Sequence, residues 1–176
     1  MPSSPNIARA IEFSAPWSRQ LTFITLLTSV ILLGISTILW LKAPENPPLM
    51  YQLSIWMCPG VLLLSALFAV RGYRVQGRNL WVLRPGWKTR IVLNGLKSVS
   101  FEPDATKGSI RLFGNGGFFA FSGLFRNQKL GRYRAFATDM SHTVVIQLPA
   151  RTIVVTPDKP EQFQEALSGL TESKTG

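Results

Sequence analysis

Cysteine and histidine each occur once in this chain of 176 residues, and acidic residues are scarce. The single cysteine, Cys58, excludes a disulfide framework and a cysteine-based zinc site. The single histidine, His142, excludes a two-histidine metal site and, placed beside a turn, gives no basis for a catalytic triad. The few acidic residues are scattered over turns and a terminal helix. We therefore predict no catalytic, metal-binding or cofactor-binding residue and no cofactor.

Acidic residues are also fewer than basic ones. The chain has nine Asp and Glu and nineteen Lys and Arg, which gives a formal net charge of +10. Hydrophobic residues make up 46% of the chain and charged ones only 16%, a composition that excludes intrinsic disorder. The surplus of positive charge suggests anionic partners. Sixteen of the nineteen basic residues follow Val70, so the charge belongs to the carboxy-terminal part.

Charge is wholly lacking in two long apolar runs, residues 21–41 and 49–70. At about 1.5 Å per residue, each run matches the roughly 30 Å hydrocarbon thickness of a bilayer. The alternative is a pair of buried helices in a soluble domain, but so short a chain could hardly surround two helices that are apolar on every face. We predict two transmembrane helices. Without an ionisable side chain in either run, a proton relay or ion pathway has nothing to carry it.

The segment between the runs, residues 42–48, holds Pro44, Pro47 and Pro48 and is only long enough to reverse the chain. The helices should therefore form an antiparallel hairpin. No small-residue cleavage site follows the first run, so a cleaved signal peptide is not expected. Arg71 and two further arginines directly follow the second run, which by the positive-inside rule predicts cytoplasmic termini and an external loop. Trp17 and Tyr73 are predicted at the inner interface.

The part after Val70 changes to short segments rich in β-branched and aromatic residues, separated by turn residues. We predict strands at 73–76, 79–83, 89–93, 96–102, 109–113, 133–137, 143–147 and 152–156. About seven antiparallel strands at this spacing are typical of a small barrel or sandwich. After Pro160 the spacing of Phe163, Ala166 and Leu167 predicts one amphipathic carboxy-terminal helix that closes the domain.

Three stretches resemble the bacterial pleckstrin-homology-like (PH-like) family of small membrane proteins: RLFG at 111–114 followed by GGFFAFSGLF, LGRYRAFATD at 130–139, and VVTPDKPEQF at 154–163. The likeness covers roughly residues 73–170. It implies a split-barrel fold and a role in binding, and it supplies no catalytic residue. With it, the predicted organisation is an amino-terminal arm (1–20), a transmembrane hairpin (21–70), a cytoplasmic PH-like domain (71–170) and a tail (171–176), in a bacterial inner membrane.

Basic residues are the feature that could select a ligand. The predicted lipid-headgroup set comprises Arg71, Arg74, Arg78, Arg84, Lys88 and Arg90. The first three would lie next to the bilayer and attract anionic headgroups. The last three flank a turn, and the resemblance implies that such a basic turn holds phosphorylated headgroups.

A second set is a candidate partner or membrane surface: Phe118, Phe119, Arg126, Lys129, Arg132 and Arg134. The phenylalanines follow the glycine-rich segment 114–117, which is predicted as a hairpin turn because a phosphate-binding loop would need a following Lys and Ser or Thr. They could belong to the core or touch lipid. The basic residues alternate with aromatic ones, but a solvated strand face beside an anionic membrane explains them better than nucleic-acid binding.

The predicted function is therefore a non-enzymatic, membrane-anchored binding or scaffolding module that binds anionic lipid headgroups or a membrane protein. The alternative is an accessory or regulatory subunit of a membrane transporter or enzyme complex, with Ser65 and Ala69 as a small-residue packing face. An unrecognised membrane enzyme would need a convergent polar pocket that no spacing indicates. The oligomeric state is not predicted.

Overall fold

A computed structural model describes residues 10–172. Its two long helices are α1 (Arg19–Leu41) and α2 (Leu49–Leu67), and a shorter helix, α3 (Pro160–Glu172), ends the described chain. The strands are β1 (Ile11–Ser14), β2 (Gly72–Gln76), β3 (Asn79–Arg84), β4 (Trp87–Val92), β5 (Ser98–Phe101), β6 (Ile110–Gly116), β7 (Phe121–Asn127), β8 (Gly131–Ala137), β9 (Val144–Gln147) and β10 (Thr152–Val155).

The strands form two open sheets and not a closed barrel. Within residues 10–172, sheet A has the order β1-β2-β3-β4 and sheet B the order β5-β9-β10-β8-β7-β6. The described residues after the hairpin form nine strands, more than the roughly seven predicted, and β8 and β10 run parallel, so the prediction of an all-antiparallel arrangement was wrong. Strand β10 lies between β8 and β9 in sheet B. It pairs antiparallel with β9, and its pairing with β8 is the parallel one.

Strand β1 lies within the stretch that the sequence assigned to an arm. It pairs antiparallel with β2, Glu12 opposite Arg74 and Ser14 opposite Gly72. Its four residues are too few to show a clear period of two ahead of a long apolar run. The α1–α2 hairpin is thus an insertion between two neighbouring strands of one sheet.

The main core fills the space between the sheets and below α3. Val82 of sheet A, Ile146 and Val155 of sheet B, and Phe163 of α3 are all buried in it. Helix α3 therefore covers the core as predicted, with Phe163 and Leu167 pointing inward. Tyr73, predicted at the membrane interface, is instead fully buried here and donates a hydrogen bond to the Phe136 carbonyl oxygen at 2.5 Å.

A second, smaller core lies on the other face of sheet B, where Phe125, Ala135 and Val154 are buried. Leu21, in the first turn of α1, completes it. Ser18 caps this helix by accepting a hydrogen bond from the Leu21 N–H at 3.1 Å. The base of α1 is thereby part of the folded domain.

The rest of α1 and α2 contacts little besides the partner helix. The Ser36 hydroxyl donates to the Ile55 carbonyl oxygen at 2.8 Å, and the Tyr51 hydroxyl donates to that of Leu39 at 2.7 Å. Both helices are long and apolar enough to cross a membrane. Large apolar side chains cover their outer faces, as Val30 and Leu63, each 67% exposed, illustrate.

Strand β7 was interpreted from sequence as either core or a lipid-facing loop, and it is an ordinary strand between β6 and β8. Gly123 in its middle has φ +153°, and a Cβ there would collide with the Phe113 carbonyl oxygen. Glycine is therefore required for the close approach of β6 and β7. Phe121 and Phe125 are buried and Leu124 is exposed, so an apolar residue on the outer face hides the alternation that would have predicted this strand.

Candidate ligand groove

The gap between the edges of the two sheets forms a groove of about 840 Å³, a size typical of small-molecule sites. Strand β4 lines one side with Trp87 and Thr89, and the β6–β7 pair lines the other with Phe113 and Leu124. No ladder joins β4 to β6 within the described residues, which leaves the groove open. Phe68, directly after α2, closes the end next to the helical hairpin.

Arg84 forms the floor of the groove, and it is only 7% exposed. It stands at the end of β3, where the period of two directs its side chain inward. Its Nη1 donates to the Phe68 carbonyl oxygen, and its Nη2 donates to the Ser122 hydroxyl at 2.9 Å. Trp87 Nε1 donates to the Leu67 carbonyl oxygen at 2.8 Å. The β3–β4 turn thus satisfies the free carbonyl groups at the end of α2.

The positive charge of Arg84 is poorly compensated. Burial lowers the pKa of its guanidinium, and the nearby charge of Arg134 acts in the same direction, whereas Tyr73 opposes it. Its Nε is buried and has no hydrogen-bond partner among the described residues. None of the described residues lining the groove is acidic. A buried cation in such surroundings favours an anionic neighbour.

Aromatic rings surround the guanidinium. Its central carbon lies 4.8 Å from the Trp87 ring centroid, 5.7 Å from that of Phe136 and 5.8 Å from that of Phe68. Arg134, on β8, is exposed at the groove margin, 5.4 Å from the Phe136 centroid. The groove therefore combines three cationic groups, Arg84, Arg111 and Arg134, with a largely apolar, aromatic wall.

The six predicted headgroup residues do not form one cluster. Arg84 faces inward, whereas Lys88 and Arg90 lie on the outer face of sheet A, 5.1 and 5.8 Å from the Trp81 ring. The reason is the strand period: Lys88 is opposite Leu83, the residue before Arg84, so its side chain lies on the other face of the sheet from Arg84. Arg90 also donates to Asn79 Oδ1 at 2.9 Å.

The three arginines after the second apolar run are spread along β2, from Arg71 next to the hairpin to Arg78 in the turn at the far end of the strand. Arg74 is engaged with Glu12 of β1, its Nε donating to Oε1 at 2.7 Å. Arg71 and Arg78 are exposed at the two ends of β2. They remain candidates for contact with anionic headgroups.

The second predicted set is divided as well. Phe119 packs against α1: its N–H donates to Thr25 Oγ1 at 3.1 Å and its ring meets Trp17 at 6.1 Å. Phe118 lines the groove at the same hairpin turn. Because Thr25 lies six residues into α1, this turn is about 9 Å along the helix from its start.

Of the basic members of that set, Arg134 alone lines the groove. Lys129 forms an ion pair with Glu102 at 2.6 Å, and hydrogen bonds from Lys129 and Ser100 lower the pKa of that carboxyl. Arg126 and Arg132 are exposed and directly opposite each other on β7 and β8.

His142 contacts two side chains of its own turn. Its Nδ1 lies 2.9 Å from Asp139 Oδ2 and 3.1 Å from the Ser141 hydroxyl, which itself donates to Asp139 Oδ1 at 2.6 Å. A triad requires the two ring nitrogens to face different partners, but here one nitrogen faces both. The cluster is a local turn, and no group of metal ligands was found among the described residues.

Sequence reasoning missed Phe68, Trp87, Ser122 and Phe136 as members of one site. They come from α2, β4, β7 and β8, and only the tertiary fold brings them together. The burial pattern of β3 alternates and places Arg84 on the inner face, but residues 80–83 are all apolar, so the sequence itself carries no such signal.

The fold defines a class: a two-sheet β domain with a terminal helix, carrying an apolar helical hairpin and a basic groove at its base. A family model described as the Bacterial PH domain matches residues 71–171, and the chain belongs to this family. PH-like domains are generally non-catalytic binding modules. No curated protein and no solved structure matches the chain.

Proposed function

We propose that the protein is a non-enzymatic binding module, anchored by its helical hairpin at the inner face of a bacterial membrane, where it binds anionic lipid headgroups. The observation that carries the proposal is the outward, solvent-facing position of the apolar side chains of α1 and α2. The core helix of a soluble protein would bury them, because burial of each large apolar side chain stabilises the fold by about 1.5–3 kcal/mol.

The pairing of β1 with β2 supports a single compartment for both ends of the hairpin. Residues before α1 and after α2 share one sheet, so they lie on the same side of any membrane that the hairpin crosses. This pairing also argues against α1 as a cleaved signal, because cleavage after α1 would remove β1 from the sheet.

Charge supports the cytoplasmic assignment of that side. The external loop would carry only Lys42 and Glu45 as charged residues, whereas Arg71 directly follows the hairpin and Arg74 and Arg78 come next in the chain. Within about a Debye length, such residues each gain roughly 1 kcal/mol from an anionic leaflet.

The small-residue packing face on which the accessory-subunit alternative depends is not formed. Helix α2 ends at Leu67, and Ala69 is buried in the domain, so Ser65 and Ala69 do not form one lipid-facing helix surface. A protein partner would be revealed by crosslinking in native membranes, where an obligate subunit yields one dominant product.

The anchor is tested with the full chain in a Cys58→Ala background. Single cysteines placed at Asn46 and Gln128 are treated with a membrane-impermeant maleimide in spheroplasts. We expect label at position 46 in intact cells and at position 128 only after permeabilisation, with all protein in the alkali-washed membrane pellet. Equal labelling of both positions, or release into the supernatant, would contradict the proposal.

Lipid binding is tested on the same full chain in nanodiscs, because a fragment starting at residue 73 would lack β1. We expect amide hydrogen exchange around Arg71 to be slower in discs containing phosphatidylglycerol than in discs of pure phosphatidylcholine, and the difference to disappear at high salt. No difference between the two compositions would remove the lipid part of the proposal.

A further inference from the structure

We propose that the groove between β4 and β6 holds one anionic phospholipid drawn from the adjacent leaflet, with its phosphate at Arg84 and Arg134 and an acyl chain along the aromatic wall. The inference rests on the proposed membrane anchor and goes beyond it, because it assigns a discrete site and a ligand class.

The polar part of the argument is Arg84. Its side chain is more than nine-tenths buried, its Nε lacks a partner in the described chain, and no acid lines the groove. A phosphate diester in the groove supplies negative charge next to the guanidinium, where the lining residues offer none. Arg111 and Arg134 line the same groove and are exposed, so they add two further cations where a headgroup would enter.

The apolar part of the argument is the wall. Phe113 is 78% exposed, and Leu124 beside it is also exposed, although both border a groove that is mostly hydrophobic. An inorganic phosphate or a soluble sugar phosphate would leave this surface in water. A ligand with a charged head and a hydrocarbon tail matches both halves of the lining.

The position of the groove supplies the source of the lipid. Ser65 and Phe68, at the end of α2, form the end of the groove, so it opens where the hairpin enters the domain. Trp87 is partly exposed at that point and is hydrogen-bonded to the helix end, as is typical of residues at a membrane surface. A lipid can therefore enter sideways, with its tail remaining near the bilayer.

The test measures lipid retained by the full chain in a neutral detergent, by native mass spectrometry. The probes are dioleoyl phosphatidylglycerol and dioleoyl phosphatidylcholine, and the competitor is sn-glycerol 3-phosphate. We expect one phosphatidylglycerol per chain, weaker retention of phosphatidylcholine, and no displacement by the competitor at equal concentration.

The deciding variant is Arg134→Gln, with Arg132→Gln as its control. Both residues are exposed on β8, both changes remove one charge, and Arg132 does not line the groove. We expect about a tenfold loss of phosphatidylglycerol affinity for R134Q and about twofold or less for R132Q. Neither change removes a hydrogen bond of Arg84, whose partners are the Phe68 carbonyl oxygen and the Ser122 hydroxyl.

The wall is tested by Phe113→Ser, with the equally exposed Ile110→Ser on the same strand as control. F113S should lower retention of the diacyl lipid, and I110S should not. Equal behaviour of R134Q and R132Q, or full displacement by glycerol phosphate, would overturn the inference. If the chain retains no lipid but stays in washed membranes with position 46 labelled, the result contradicts the groove assignment and still supports the membrane anchor.

Discussion

The helical hairpin and the β domain use the same kinds of apolar side chain in opposite ways. Val82 and Leu80 of β3 are fully buried, whereas Val30 of α1 and Leu63 of α2 are two-thirds exposed. In the domain, two sheets and α3 cover such residues. In the hairpin nothing in the described chain covers them, so a hydrocarbon solvent is the environment in which their exposure costs nothing.

The polar groups of the two regions follow the same division. The hairpin satisfies its hydroxyl groups internally, as Thr37 does by donating to the Leu33 carbonyl oxygen at 2.8 Å. The domain instead exposes most of its arginines and lysines and forms ion pairs at its surface. Arg84 lies at the junction, a cation of the domain that donates a hydrogen bond to the Phe68 carbonyl oxygen directly after the hairpin.

The largest predicted effect compares one substitution in both regions. Val30→Asp places a carboxylate near the middle of α1, where insertion should become less favourable by about 3 kcal/mol. We expect a large fall in the fraction of protein that remains in alkali-washed membranes.

The matched change is Val92→Asp, at a valine of β4 that is 40% exposed on the domain surface. Because water surrounds this site, membrane retention should stay at the wild-type level. Equal retention of both variants would show that the hairpin and the domain share the same solvent, and the comparison would fail.

The junction itself should be the next most sensitive point. Arg84→Gln removes the donor to the Phe68 carbonyl oxygen and weakens the contact with Ser122, which should destabilise the domain by about 2–4 kcal/mol. The exposed Arg90→Gln should cost about 0.5 kcal/mol or less. Thermal unfolding of each full-length variant in detergent, followed by circular dichroism, measures the difference, and an equal midpoint for both would contradict the assigned role.

The helical part of this architecture was predictable, because a charge-free run of the right length has few alternative structures. The sequence placed α1 within two residues of its observed start, and it placed the end of α2 three residues too late, since Phe68, Ala69 and Val70 turn into the domain. Composition alone cannot distinguish an apolar residue in lipid from one in a protein core. The end of α2 was therefore the least certain boundary of the predicted helices.

The site was less predictable, because its residues are distant in sequence and meet only in the open gap between two sheets. Arg84 was identified from its position beside a turn, and Arg134 from a run of basic and aromatic residues, but nothing local joined them. Strand β1 was missed because its stability comes from pairing with β2, some sixty residues away.

A smaller effect on stability is expected from removing the hydroxyl group of a buried tyrosine of the domain, Tyr73, with Tyr133 for comparison. Burial raises the pKa of Tyr73 to about 12, although hydrogen bonds with Thr156 oppose the shift. A raised pKa of an acid means that its contribution to stability is complete below its ordinary value of 10 and is lost as the pH rises toward 12. Tyr73→Phe should therefore remove stability at neutral pH, by about 1–3 kcal/mol, and flatten the alkaline limb.

Tyr133→Phe is the control for that change. The Tyr133 hydroxyl donates to Ser109 at 2.7 Å near the surface, where water can replace it, so its removal should cost less. Unfolding midpoints measured between pH 7 and pH 11 would decide; an unchanged alkaline slope in the Tyr73 variant would contradict the assignment.

The smallest predicted effect concerns surface charge on the domain. Lys129→Gln removes the ion pair with Glu102, which should cost about 0.5 kcal/mol at neutral pH. Because the pKa of Glu102 is lowered by Lys129 and Ser100, this stability is present above its ordinary value of 4.5 and is lost as the pH falls.

Arg126→Gln should act in the opposite direction and stabilise slightly, since Arg126 directly opposes Arg132. Unfolding midpoints of the two variants at pH 7 and pH 3 test this, and a loss for K129Q that persists at pH 3 would show that the lysine acts through packing and not through charge.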